Sequence, residues 1–440
     1  MIQLQKALSS IIQKLPAMPR RTVNRIFTIL WVGVILYDFN LIFQHASRSM
    51  SGDEWRYLYY AENLLNGLYS PADRIFLWNG PGYPLLLVPF VQFDWLIAAH
   101  YLNGILHWLA LGYAWLTLRY FLSPGKALTA WLPLALYGPI YKFLPLLYTE
   151  ALSFFLVTAW IYHCVRATSS WPHRIAASVW LGWLCLTKVI FGWAIGVLWL
   201  ILLIWWISRR PLHLRPHLVQ GALALGLCLP YLSYTYQLTG HVFYWSNAGP
   251  NSFYWLSSPY PDEWGDWYHQ GWVFDHPRLN QHHGDIFRQA TGLDRNPNLS
   301  THAQVLNLSS YQASRIFRDQ ALDNIQSHPL RFLRNWLANI VRLFFDIPRT
   351  LRDIPAINPY SVWHGALLIA TCVICYMRPS YKHFKETPHI TIPLLGLLVF
   401  GGYSLTSGMG RFLIPLVPIW WLSLWLVSQP KKARKPLPES

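Results

Sequence analysis

Long apolar stretches recur along this chain with only short polar breaks between them. Segments 26–44, 97–121, 126–142, 150–167, 175–191, 193–208, 217–236, 359–377, 388–405 and 412–428 are predominantly apolar. Each is close to the ~20 residues a helix needs to cross a hydrocarbon core of ~30 Å. The pattern predicts an all-α protein, a polytopic membrane helix bundle of about ten spans. Two intervals fall outside it. In the first, 45–96, Leu58, Ala61, Leu64 and Leu65 keep helical spacing from Asp53 onward until Gly67 and Pro71 break it, which predicts a helix along the membrane surface. The second, 237–358, is rich in Asn, His, Asp, Trp and Pro and is large enough for a small extramembrane subdomain. Within it, His328 to Arg349 places Leu, Phe, Trp and Ile at helical spacing with Arg331, Arg334 and Arg342 between them. An interfacial helix fits that stretch better than a span.

Charge adds an orientation to this pattern. Lys6, Lys14, Arg20, Arg21 and Arg25 precede the first span, and Lys431, Lys432, Arg434 and Lys435 follow the last. Between spans, basic residues gather at Lys126, from Arg166 to Arg174, from Arg209 to Arg215, and from Arg378 to Lys385. The positive-inside rule places all of these on the cytoplasmic side, with both termini. The expected organisation is a basic cytoplasmic N-terminus (1–25), an N-terminal transmembrane module (26–236) holding the first outer loop (45–96), and the large outer loop (237–358). C-terminal transmembrane helices (359–428) and a basic cytoplasmic tail (429–440) complete it. A crossing by 328–349 would put the Arg378 to Lys385 segment outside, against the same bias.

The formal charge of +16 therefore reads as membrane orientation, with no nucleic-acid partner implied. A composition that is 53% hydrophobic and 12% charged agrees, and many of the 25 Trp and 25 Tyr lie near span ends, as interfacial belts do. The first apolar segment has a signal-like basic flank but no small-residue cleavage site, so it is read as a retained anchor. Cys164, Cys185, Cys228, Cys372 and Cys375 all fall in apolar segments, where cysteine packs as a small hydrophobe; Cys372 and Cys375 form a CxxC without the partner pairs that metal or redox use requires.

Few residues are left that suit chemistry. Ser51-Gly52-Asp53-Glu54 opens the first outer loop; its acids are either a favourable helix start or a catalytic pair. Asn79-Gly80-Pro81-Gly82-Tyr83-Pro84 is a rigid turn. Glu150 stands at the outer end of a span, able to approach Asp53 or to tie to a base such as Lys142. Lys188 interrupts a span near its outer end, where an ammonium either snorkels or binds an anion. Arg411 lies at the outer turn of the last helix pair, where an arginine fork suits phosphate. The outer-loop histidines, among them His282, His283 and His302, show no ligand spacing, so no metal is assigned. Asp262, Glu263 and Asp266 form a nonspecific acidic group. Walker and dinucleotide glycine motifs are absent.

Taken in order, these segments resemble the GT-C superfamily of membrane glycosyltransferases, in particular the protein mannosyltransferase and aminoarabinose transferase branch that uses polyprenyl-phosphate sugars. Four landmarks carry the resemblance. Gly52-Asp53-Glu54, with Tyr57, Tyr60 to Leu64 and Gly67, is similar to the acidic first-loop motif and its amphipathic helix. Gly80 to Leu85 resembles the Pro-rich turn that closes that loop. Thr149 to Leu152 and Leu186-Thr187-Lys188 resemble the second acidic site and the carrier-phosphate segment. Gly410 to Pro418 is similar to the late Arg-aromatic-x-x-Pro motif.

The resemblance implies an inverting transfer at the external face of a bacterial inner membrane, from a polyprenyl-phosphate sugar donor to a lipid, glycan or protein acceptor. It assigns Asp53 as general base, Glu54 and Glu150 as catalytic partners, Lys188 and Arg411 to the carrier phosphate, and Tyr57, Tyr83 and Asp262 to substrate positioning. No cofactor is called for; a divalent cation stays open, though no residue pattern indicates one. Two other classes stay open. An O-antigen-type polymerase or ligase would depend on outer-loop arginines, and a lipid or solute transporter would show mid-bilayer charges and repeated halves.

Overall fold

The computed structural model describes residues 18–45, 48, 50, 52–167, 170–209, 214–268, 270–292, 310–346, 359–377, 390–406 and 408–427. Expectations that rest on Lys6, Lys14, His302, the Arg378 to Lys385 segment and the C-terminal basic tail lie outside those residues, as do the side chains of Cys372 and Cys375. Among the described residues all regular structure is helical.

The apolar segments form α1 (Arg20–His45), then, beyond the first loop, α2 (Glu54–Leu65), α3 (Gly82–Gln92), α4 (Leu96–Phe121), α5 (Pro124–Ala135), α6 (Gly138–Tyr141), α7 (Thr149–Arg166), α8 (Trp171–Thr187), α9 (Val189–Arg209) and α10 (Arg215–Thr239). Three of them, α1, α9 and α10, have the length and apolar composition to cross a membrane. α9 shows why: Trp193, Val197, Leu200, Ile201, Ile204 and Ile207 are exposed along one stripe, while Phe191, Ile195, Leu198 and Leu202 are buried on the other. Such a helix is stable only where the exposed stripe meets lipid or another apolar surface.

α7 is the centre of the bundle, buried along nearly its whole length between α4 and α8. α1 is fastened to α4 by Trp31 and Trp108, whose rings stack at 4.1 Å while each indole N–H donates to the other's backbone carbonyl. Asp38 is fully buried within α1 and pairs with His107 of α4 at 2.8 Å. A carboxylate inside an apolar helix needs such a partner. Segment 126–142 is not one continuous helix. Pro133 removes a backbone donor in the last turn of α5, and Gly138-Pro139 restarts the chain as the single turn of α6.

The large polar interval folds into α11 (Gly249–Leu256), α12 (Gln270–Asp275), α13 (Pro277–Thr291), α14 (Tyr311–Ser327) and α15 (Pro329–Phe345). Trp255, Phe287 and Phe317 build a second core there. α15 turns its polar residues inward: Asn335, Asn339 and Arg342 are buried, whereas Leu330, Leu333, Leu337 and Val341 are exposed on the opposite face. At ~1.5 Å per residue its 17 residues fall short of a ~30 Å core. The described chain closes with α16 (Pro359–Met377), α17 (Thr391–Ser404), a 3-10 turn (Gly410–Leu413) and α18 (Leu416–Val427).

Candidate active site

Asp53 stands at the N-terminus of α2, yet its side chain makes no capping hydrogen bond. The loop is shaped so that it faces elsewhere. Gly52 takes φ +60°, a left-handed conformation, and a Cβ there would run into the Tyr148 ring. The Asp53 backbone N–H donates to that tyrosine's hydroxyl at 3.0 Å. Both carboxylate oxygens are then taken by guanidinium groups: Oδ1 by Arg56 and Oδ2 by Arg411, the latter at 2.7 Å. A carboxylate offers about four lone-pair sites, so acceptor capacity remains.

The neighbouring Glu54 turns the opposite way. It is 1% exposed, accepts the Leu147 N–H at 2.8 Å and pairs with Arg48 at 2.7 Å. That places it outside the cavity described next, as a tie between the first loop and the start of α7.

Arg411 comes from the 3-10 turn, which Asp346 secures by accepting the Gly410 N–H at 2.7 Å. Its guanidinium lies over the Tyr148 and Phe412 rings at 5.3 and 5.4 Å, a placement favoured by the rings' negative faces. Arg56 likewise lies over Trp78 at 5.6 Å. Burial opposes the charge on Arg411, but Glu150, Tyr57 and Tyr148 outweigh it and raise the pKa above the ordinary arginine value.

Lys188 is reached by a break in the helical path. A span through 191 was expected from the apolar pattern; instead α8 ends at Thr187, Lys188 is extended (φ −121°, ψ 91°), and α9 starts at Val189. Its ammonium pairs with Glu150 at 3.0 Å, so Glu150 ties to Lys188 and not to Lys142. The Asn79 to Pro84 turn explains the break, because its glycines lie directly on the end of α8. A Cβ on Gly80 would fall 2.9 Å from the Leu186 carbonyl carbon, one on Gly82 2.8 Å from the Thr187 nitrogen, and Trp183 donates to the Gly82 carbonyl at 3.0 Å. Gly80→Ala is therefore expected to cost about 1–3 kcal/mol and to misplace Lys188. Melting in detergent and donor binding will read both, with Gly226→Ala, where nothing lies within 4 Å, as the neutral control.

Asp53, Tyr57, Glu150, Lys188 and Arg411 line one cavity of about 530 Å³, a size that suits a sugar phosphate. Burial, then Glu150, pushes the Tyr57 hydroxyl up to about 12, so it stays a donor. Several buried polar atoms on this wall have no hydrogen-bond partner among the described residues: Glu150 Oε2, Arg411 Nε, Asn79 Oδ1 and Asn251 Nδ2. A buried polar atom normally has one.

Besides Glu54, two expected residues lie elsewhere. Tyr83 is fully buried behind the cavity, donating to Asn103 at 3.2 Å with its ring edge-on to Tyr57. Asp262 pairs with Arg278 of α13 at 2.9 Å, in the subdomain built on the second core. Among the residues at the site that were not anticipated are Arg56, Tyr148, Asn251 and Trp267. The Asp53-x-x-Arg56 spacing on a helix was a usable signal for the first. The last two are brought in by the fold alone.

No protein-family model matches the chain, and no curated protein matches it. Among solved structures, an archaeal oligosaccharyltransferase, AglB from Archaeoglobus fulgidus in complex with an inhibitory peptide and a dolichol-phosphate, superposes with 14% identity and a TM-score of 0.47. That superposition covers 91% of this chain and 50% of the other, so the chain spans half the length of that protein. ArnT from Cupriavidus metallidurans, bound to undecaprenyl phosphate, superposes with 13% identity and a TM-score of 0.39, covering 89% of this chain and 77% of the other. Both scores are below 0.5.

Proposed function

We propose that this chain is a membrane glycosyltransferase that moves a sugar from a polyprenyl-phosphate donor to an acceptor hydroxyl at the external face, with inversion. The observation that carries the reading is the meeting of Asp53, Glu150, Lys188 and Arg411, from four distant segments, around one cavity. One carboxylate to take up a proton and fixed positive charge for the leaving group are what a single displacement at an anomeric carbon needs. The acceptor oxygen forms the new bond to that carbon, the carbon–oxygen bond to the carrier phosphate breaks, and the acceptor proton goes to a carboxylate. The phosphate leaves with its negative charge, which fixed cations stabilise.

Asp53 is the assigned base. Arg411 serves both partners: one Nη stays on Asp53 while the unpartnered Nε is available to a phosphate oxygen. Lys188 supplies a second positive charge in the same cavity. Glu54 holds the loop, and Tyr57 and Tyr83 shape its packing.

One observation favours a second assignment. Glu150 Oε2 is buried without a partner, whereas both oxygens of Asp53 are engaged. Glu150 is then the proton acceptor and Asp53 the anchor of two arginines. The two versions differ in an assay of membranes supplied with polyprenyl-phosphate sugars. With Asp53 as base, Glu150→Gln keeps turnover within about tenfold, and Lys188→Ala both raises the donor KM and lowers turnover. A Glu150→Gln loss of ~10²-fold or more in turnover, with Asp53→Asn milder, moves the base to Glu150. Solute uptake or lipid flipping by the wild type, without any transfer, supports the transporter class instead.

A further inference from the structure

The outer subdomain contains a second chemical cluster that the transfer reaction does not use. Glu263 lies on the segment between α11 and α12, and His282 and His283 lie on α13. The carboxylate is completely buried and accepts from His282 Nδ1 at 2.9 Å, from His283 Nε2 at 3.0 Å and from the Ser258 hydroxyl at 2.5 Å. No lysine or arginine side chain is paired with it among the described residues; Arg334 reaches only its backbone carbonyl. A buried carboxylate faced by two imidazoles is thus short of positive charge unless an imidazole is protonated or a cation is shared.

We propose that Glu263, His282 and His283 bind a divalent late first-row metal ion, Zn²⁺ being the best match, and that this ion braces the subdomain over the reaction cavity. One donor atom from each residue lies within 4.8 Å of the others. Zinc bonds of ~2.0–2.2 Å in tetrahedral geometry put their donor atoms roughly 3.3 Å apart. Opening the observed 2.9 and 3.0 Å pairs by a few tenths of an ångström admits the ion. Two imidazoles and one carboxylate suit zinc and its neighbours, whereas magnesium and calcium prefer oxygen alone.

The surroundings already orient these donors. The other ring nitrogen of His283, Nδ1, is 2.7 Å from the Tyr254 hydroxyl, a second contact of the kind that fixes a ligating imidazole. Tyr260 stacks on His282 with ring centres 3.7 Å apart. Metal on His283 Nε2 and His282 Nδ1 needs no change in the proton count, since each neutral ring can carry its proton on the opposite nitrogen. The segment holding Glu263 continues through Asp266, which Arg342 of α15 grips, to Trp267 on the cavity wall. An ion here would link α13 to the strip of chain that presents Trp267.

The test is zinc content of the full-length protein, purified without a histidine tag, incubated with equimolar Zn²⁺ and passed through a desalting column. The expected result is about one zinc per chain and a higher melting temperature, both lost in Glu263→Gln. His282 is at the edge of the cluster and partly exposed, so His282→Ala keeps the buried Glu263–His283 pair and should fold. It is expected to bind zinc at least tenfold more weakly. Failure of the wild type to retain zinc, or equal retention by wild type and His282→Ala, overturns the proposal. Neither readout depends on glycosyl transfer.

Discussion

Asp53→Asn is expected to lower turnover by ~10²–10⁴-fold, the range lost when a positioned general base is removed. The substitution keeps the shape of the side chain and one acceptor oxygen, so either Arg56 or Arg411 can still be satisfied. What disappears is the negative charge and the capacity to take up the acceptor proton. A residue that only anchored the loop would show its loss in melting temperature and donor affinity, with turnover per folded molecule preserved. The expected pattern is the reverse: near-normal donor binding with collapsed turnover. Asp53→Glu, which returns the charge about one methylene farther out, should recover part of the rate.

The second large effect is expected at Arg411. Arg411→Ala removes the group that bridges Asp53 and the proposed phosphate position, and donor affinity should fall by ~10²-fold, the scale of one lost charge-assisted contact in a water-poor site. Arg411→Lys should recover little of it. An ammonium is a point donor and cannot hold a carboxylate with one arm while offering another to phosphate, and it lacks the delocalised plane that the guanidinium sets near the Tyr148 and Phe412 rings. Equilibrium binding of a fluorescent polyprenyl phosphate to the purified variants separates the two outcomes. Equal affinity for Arg411→Lys and wild type would reduce the role of Arg411 to simple charge.

Much of this site was legible along the chain because each landmark interrupts an apolar pattern. Lys188 and Glu150 stand out where lipid-facing residues are expected, and Gly80 and Gly82 mark a place where backbones must come close. The partners were less legible, since pairing depends on the packing of distant helices. Asp53 and Glu54 are neighbours in sequence yet their carboxylates take different partners, Arg411 for one and the Leu147 N–H for the other. The helix through Lys188 read as continuous to 191, because the constraint that breaks it comes from a turn about one hundred residues earlier. Similarly, 126–142 is apolar enough to read as a span, but Pro133 and Gly138-Pro139 divide it. Asp38 and His107 sit inside apolar segments and find each other only in the bundle. Glu263 and the His282-His283 pair form no ligand spacing, because all of α12 and the first turn of α13 lie between them in the chain.

The most direct test of the central claim is the anomeric configuration of the product formed by wild-type membranes from a polyprenyl-phosphate sugar of known configuration, read by NMR of the released glycan. A single displacement assisted by one carboxylate predicts transfer with inversion. Transfer with retention, or no transfer from any polyprenyl-phosphate sugar, would contradict it.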